Sequence, residues 1–162
     1  MAETRNLGKD LENKGFIPQQ PWKKRDTVSC GEKGKMYIAQ TVRNTACCVH
    51  RIDGVIIGPK QPKCDYLMLV RDETEKPVGE SFIEIKGCDI MHAVEQLEAT
   101  LRHFNVQRCS ELDCRARVVT SRSIPGSVTK GEFERARVRF NKLYSCKLKR
   151  IKPSCPDTPA FG

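Results

Sequence analysis

The stretch Cys64–Gly87, CDYLMLVRDETEKPVGESFIEIKG, decides the fold. Its first part, CDYLMLV, is an almost unbroken apolar run, the pattern of a strand covered on both faces. Asp65 is the one charge in it. Its last part, FIEIKG, alternates, so Phe82, Glu84 and Lys86 point to one side while Ile83 and Ile85 point to the other. Between them RDETEKPVGE is charged and carries Pro77 and Gly79, which predicts a hairpin loop and hence an antiparallel pair. With the turn centred near Thr74 and Glu75, residues whose numbers sum to 149 face each other. Leu67 then opposes Phe82, and Asp65 opposes Glu84. Directly opposed residues on one face have Cβ atoms roughly 4.5–5.5 Å apart. Two carboxylates that close repel unless a cation lies between them, and oxygen ligands of this kind suit Mg²⁺ or Mn²⁺.

The following segment carries a helix. Asp89 is placed to cap, and Ile90, Val94, Leu97, Leu101 and Phe104 recur at helical spacing through IMHAVEQLEATLRHF. Gln96 lies off that stripe, beside His92 and Thr100.

An acidic residue opening one strand, Glu-X-Lys closing the next, and an amphipathic helix after them resemble the PD-(D/E)XK nuclease superfamily. The proline that usually precedes the acid is missing, since Lys63 and Cys64 stand between Pro62 and Asp65. The resemblance implies a restriction-endonuclease-like αβββαβ core in a mixed α/β fold. It also implies Asp65, Glu84 and Lys86 as the catalytic residues. Asp65, Glu84 and the backbone carbonyl of Ile85 would be the ligands of Mg²⁺ or Mn²⁺, and Gln96 an accessory residue, as some branches place a Gln on this helix. A bound ion would orient a water, lower its pKa and neutralise charge on the reacting phosphate. Lys86 would contact that water or the scissile phosphate, and the products would carry 5′-phosphate and 3′-hydroxyl ends.

The flanking chain is read the same way. Residues 45–58 (TACCVHRIDGVIIG) predict a first strand, bulged or turned at Asp53-Gly54. Residues 116–124 (ARVVTSRSI) predict a fourth. After Pro125-Gly126, Thr129 and Glu132 have capping-box spacing, and Phe133, Ala136, Phe140 and Leu143 mark a second amphipathic helix. Cys146–Lys152 (CKLKRIK) predicts a closing edge strand, its lysines and arginine suited to an exposed edge. A helix over 32–43 would complete the αβββαβ core, against which Gly31 and Gly34 argue. Residues 1–29 read as a basic, flexible arm, 30–152 as the nuclease-like domain and 153–162 as a tail.

A chain of 162 residues is within the single-domain range and buries about 68–70% of its unfolded surface. No apolar stretch approaches the roughly 20 residues a membrane span needs, and no signal-peptide core opens the chain, so a cytoplasmic protein with no membrane partner is expected. Nine cysteines without an export signal favour reduced thiols. Cys109 and Cys114 with Cys146 and Cys155 raise a zinc cluster, but their spacers are unlike CxxC pairs. His50, His92 and His103 do not fall at ligand spacing. Cys30–Met36 (CGEKGKM) superficially resembles a phosphate-binding loop, yet its glycines are too close together and Met36 stands where Ser or Thr is needed.

Twenty-nine Lys and Arg against twenty Asp and Glu give a net charge of +9, for which a phosphate backbone is the natural partner. Lys23, Lys24 and Arg25, the late-helix residues Arg135, Arg137, Arg139 and Lys142, and Lys147, Lys149 and Arg150 are the candidate nucleic-acid contacts. Low aromatic content gives little support to stacking on unpaired bases. The favoured expectation is a Mg²⁺-dependent endonuclease acting on DNA rather than RNA, in restriction, phage defence or repair. The alternative is a catalytically inactive nucleic-acid-binding or regulatory module of the same fold. Sequence recognition by so small a chain would call on the arm, a homodimer or a larger complex.

Overall fold

The computed structural model describes residues 4–32, 34–85, 89–121 and 127–161, with the backbone alone for 127–129. In chain order these form α1 (Leu7–Asn13), β1 (Gln20–Lys24), β2 (Thr27–Glu32), β3 (Lys35–Thr41), β4 (Thr45–Arg51), β5 (Tyr66–Asp72) and β6 (Pro77–Ile85). Then follow α2 (Ile90–His103), β7 (Asp113–Val119), α3 (Ser127–Tyr144), β8 (Cys146–Ile151) and β9 (Pro156–Phe161). The fold is mixed α/β. From residue 45 to 151 the element order is the one the side-chain periods predict.

A six-stranded sheet runs in the order β1-β4-β5-β6-β7-β8. Its first four strands pair antiparallel and its last three pair parallel. The change of direction comes where the connections lengthen, because a parallel neighbour needs a crossover and α2 and α3 supply the two of them. The β5–β6 ladder has the predicted register, with Leu67 opposite Phe82 and Met68 opposite Ser81. Asp72 ties the turn, its Oδ1 accepting from the Thr74 and Lys76 amides at 2.8 and 2.9 Å.

Both faces of this sheet are covered, as the apolar run over β5 requires. Leu67, Leu69, Phe82, Ala116 and Leu148 pack on one side with Leu11 of α1, Leu97 and Leu101 of α2, and Phe140 of α3. Val49, Met68, Val70, Ile83 and Ile151 pack on the other against a three-stranded sheet, β2-β3-β9. Asp89 caps α2 as expected, accepting from the His92 amide. The predicted stripe of α2 is buried at Ile90, Val94, Leu97 and Leu101.

Several expectations are corrected. The described part of the predicted 1–29 arm, residues 4–29, is not free: α1 buries Leu7 and Leu11, β1 forms an edge of the large sheet, and Arg5 is bound to the buried Glu80. The 153–162 tail contains β9, whose Phe161 is fully buried. Residues 35–41 form a strand rather than a helix, because Tyr37, Ala39 and Thr41 alternate inward and Gly34 takes φ 84° at the turn before them. Helix α3 begins at Ser127, ahead of Thr129, so Thr129 is not its cap. Leu143 is exposed and Tyr144 is buried in its place. The predicted strand over 116–124 is observed as Asp113–Val119, and 122–124 lie outside the described residues.

One buried polar network joins the two sheets. Asp157 of β9 is fully buried, and its Oδ2 accepts from Tyr37 Oη at 2.6 Å, Arg117 Nε at 2.9 Å and Arg115 Nη1 at 3.3 Å. Ser81 of β6 donates to Tyr37 Oη, and the Arg115 guanidinium lies 3.6 Å from the centre of the Phe161 ring. Arg115 is further held by Asp113. Removing the shared carboxylate leaves the buried Arg117 guanidinium without an acidic partner among the described residues and Arg115 with Asp113 alone. Asp157→Ala is therefore expected to cost about 3–5 kcal/mol in urea denaturation, whereas a loss under about 1 kcal/mol would contradict this role for the network.

Candidate active site

The regular β5–β6 ladder ends at the Tyr66–Ile83 pair, one residue short of Asp65. Asp65 continues the sheet through its backbone, its N–H donating to the Ile83 carbonyl and its carbonyl accepting from Ile52 N–H. Its side chain takes over where the ladder stops: Oδ2 accepts from the Ile85 amide at 2.9 Å. The carboxylate is thereby fixed against the backbone next to Glu84. Glu84 is buried and Asp65 is half-buried, so the pair lies at the boundary between core and solvent. Lys86, the third member of the predicted triplet, lies outside the described residues.

Helix α2 supports this strand end. The Thr100 hydroxyl accepts from the Cys64 amide at 2.8 Å and donates to the Gln96 carbonyl at 2.8 Å. Gln96 and Thr100 are four residues apart and share a helix face. That face is directed at the start of β5, since Thr100 has no exposed surface. The Gln96 Oε1 atom is buried and makes no hydrogen bond, in keeping with a residue turned inward. Thr100 is the contact that sequence reasoning missed. Its place one turn beyond Gln96 was the available signal.

Cys64 is fully buried beside the two carboxylates. Burial first, and the nearby charges of Glu84 and Asp65 after it, push its thiol well above the usual range. Burial pushes Cys30 to about 12, with Asp65 adding to the rise. Both shifts favour the protonated thiol, the opposite of what a cysteine nucleophile needs.

Among the described residues no three His, Cys, Asp or Glu side chains gather to hold a metal. The zinc cluster considered for Cys109, Cys114, Cys146 and Cys155 is thus not assembled, and the described cysteines are free thiols. A two-carboxylate site is a different case. Among the described residues the Asp65 carboxylate accepts one hydrogen bond, through Oδ2, and Gln96 Oε1 is buried without one, so carboxylate and amide oxygens are the donors this end of β5 and α2 offers. That donor set fits Mg²⁺ or Mn²⁺, which retain several waters and need few protein ligands.

The candidate nucleic-acid contacts divide over opposite edges of the sheet. Lys23 and Lys24 lie on the β1 edge, where the Arg25 guanidinium is bound to Gln20 and the Pro21 carbonyl. Arg137, Lys147, Lys149 and Arg150 converge at the β8 edge on a cavity of about 560 Å³, with Arg115 and Arg117 in its floor. Arg135 and Lys142 are exposed on α3. Arg139 is engaged in the fold: it binds the buried Glu98 of α2 at 2.9–3.1 Å, and Tyr144 donates to the same carboxylate. Arg150 occupies the register row of Glu84, through Glu84–Val118 and Val118–Arg150. Two strand spacings separate them, about 10 Å. No helix of the described residues is long and apolar enough to cross a membrane.

Compared with protein-family models, with curated proteins and with solved structures, the chain matches none.

The burial pattern makes a direct prediction for thiol chemistry. Under native conditions Cys155 and then Cys109 are expected to take up an alkylating reagent, while Cys30, Cys47, Cys48, Cys64, Cys114 and Cys146 are protected until unfolding. Peptide mass spectrometry of timed labelling reads the order. Early modification of Cys64 would contradict the packing of α2 against the start of β5.

Proposed function

We propose that the chain is a divalent-metal-dependent nuclease with a restriction-endonuclease-like core, acting on phosphodiester bonds of DNA. The observation that carries this reading is the Asp65 Oδ2 hydrogen bond to the Ile85 amide, which fixes one carboxylate beside the strand residue Glu84. The order α1, β4, β5, β6, α2, β7 supports an αβββαβ core, with β1–β3 inserted after the first helix and α3 and β8 following.

Asp65, Glu84 and the Ile85 carbonyl would hold Mg²⁺ or Mn²⁺, with Gln96 Oε1 as a further oxygen. Such an ion, when bound, supplies Lewis acidity toward a phosphate oxygen and a lowered pKa for water. The protein's own part is orientation. The Ile85 amide holds Asp65 in one position, and Thr100 fixes the chain just before it. Cys64 and Thr100 are buried beneath the carboxylates and keep water out behind them, which strengthens their electrostatic effect. Lys86, two residues beyond Glu84, would donate to the attacking water or to the phosphate on which negative charge grows. Arg150, in the Glu84 row, adds a cation about 10 Å away.

The test is single-turnover cleavage of plasmid, linear, single-stranded and branched DNA with Mg²⁺. Wild type is expected to cut at least one form. Lys86→Ala should lose about 10²-fold or more in rate, the usual scale for removing a positioned acid–base or electrostatic group, while keeping its fold by circular dichroism. Ile85→Val, on the opposite face, should cost about 0.5–1.5 kcal/mol in stability and leave the rate unchanged. Equal rates for wild type and Lys86→Ala would overturn the mechanism. No cutting of any form, with DNA still bound, would favour an inactive binding module.

A further inference from the structure

The CGEKGKM segment is unused by the reading above, yet it is built into the same end of the molecule. It forms the β2–β3 hairpin, with Glu32 opposite Lys35. Gly31, at φ 121°, is the point of closest approach: a Cβ there would lie 2.7 Å from Cδ1 of Ile85 and 2.5 Å from the Lys35 carbonyl. Only glycine lets the hairpin close so tightly on the residue that follows Glu84. The C-terminal end of β8 is fastened to the same hairpin. Ser154 N–H donates to the Met36 carbonyl at 2.8 Å, and Thr120 N–H donates to the Ile151 carbonyl at 3.0 Å.

Between these segments lies a cavity of about 400 Å³, lined by Gly34, Lys35, Thr120, Ser121, Lys152 and Cys155 among others. It lies just past the Ile85–Val119–Ile151 row, at the same end of the sheet as Glu84 and on the face to which Ile85 points. Lys35, Lys152 and Ser121 are exposed there. Glu32 is the nearest acid on the hairpin, and no ion pair among the described residues joins any carboxylate to Lys35 or Lys152. Two ammonium groups and a hydroxyl around an open recess are the groups that suit a phosphate oxyanion.

We propose that Lys35 and Lys152 form a subsite for a backbone phosphate of the nucleic acid, flanking the bond to be cut. This rests on the nuclease reading for its position relative to the reaction, and on the cavity alone for its chemistry. A mobile hairpin could not hold a phosphate in register with Glu84; the Gly31–Ile85 contact and the Ser154–Met36 hydrogen bond give this one its fixed place.

The experiment is fluorescence-anisotropy binding of a labelled DNA duplex to the full chain in EDTA, from about 50 to 200 mM NaCl. Two phosphate contacts contribute about 1.8 to the slope of log K against log salt. The double variant Lys35→Ala/Lys152→Ala should therefore lose about tenfold less affinity than wild type over that range. Lys35→Arg/Lys152→Arg should keep the wild-type slope. Lys9→Ala/Lys14→Ala removes the same charge from α1 and its C-cap, at the far end of β5, and should also keep it. An unchanged slope in the Lys35/Lys152 alanine pair, or an equal drop in the α1 pair, overturns the subsite. A selective drop in a protein that cuts no DNA upholds the phosphate site while the nuclease reading fails.

Discussion

The pairing of β5 with β6 is the constraint on which the rest depends. Its register brings the acid that opens one strand to the end of the other, and the Asp65 carboxylate closes the ladder by accepting the Ile85 amide. A shift of one residue would turn Leu67 and Phe82 away from the helices and carry Glu84 to the opposite face. The hydrophobic pattern and the position of the two carboxylates are therefore fixed by one choice. Stability and site geometry cannot vary independently here.

A strand apolar on both sides needs two covers, and the chain supplies different ones. The helical cover is conventional, with α2 and α3 tied together by Glu98, which Arg139 and Tyr144 both reach. The second cover is a small sheet built from widely separated segments, β2, β3 and β9. It is held through a buried carboxylate shared by two arginines and a tyrosine, an arrangement costly to break and strict in geometry. Phe161 lies against Gly79, where a Cβ would come within 2.5 Å of its ring. The same sheet carries the hairpin that reaches Ile85, so the cover also shapes the surroundings of the site.

Legibility followed the range of the interactions. The pairing of the strands that read at 64–70 and 82–87, its register and the capped helix at Asp89 rest on local periodicity and short turns and are legible in the residues, although β6 begins at Pro77, inside the stretch that reads as loop. The small sheet is not legible in this way. Ile38 pairs with Pro156 across more than a hundred residues, and a segment such as PDTPAF has no alternation to mark it as a strand. Asp157 illustrates the gap: in sequence it stands among prolines in an apparent tail, while in the fold it is the common acceptor for three side chains. Residues 7–13 read as part of a basic arm because two leucines make a weak signal, although Leu7 and Leu11 complete the helical cover. The proposed site residues Asp65, Glu84 and Gln96 are picked out by their sequence pattern. The basic residues are legible only as a number, since nothing in the sequence says that Arg139 binds Glu98 or that Lys35 and Lys152 line one cavity.

The central claim is that Asp65 and Glu84 act together as a metal site, and calorimetric titration of Mn²⁺ into the protein tests it without reference to cleavage. The account predicts saturable binding in wild type that is lost, or weakened by about tenfold or more, in both Asp65→Asn and Glu84→Gln, on the scale of about 1.4 kcal/mol per tenfold change. Wild-type affinity in either variant would contradict it.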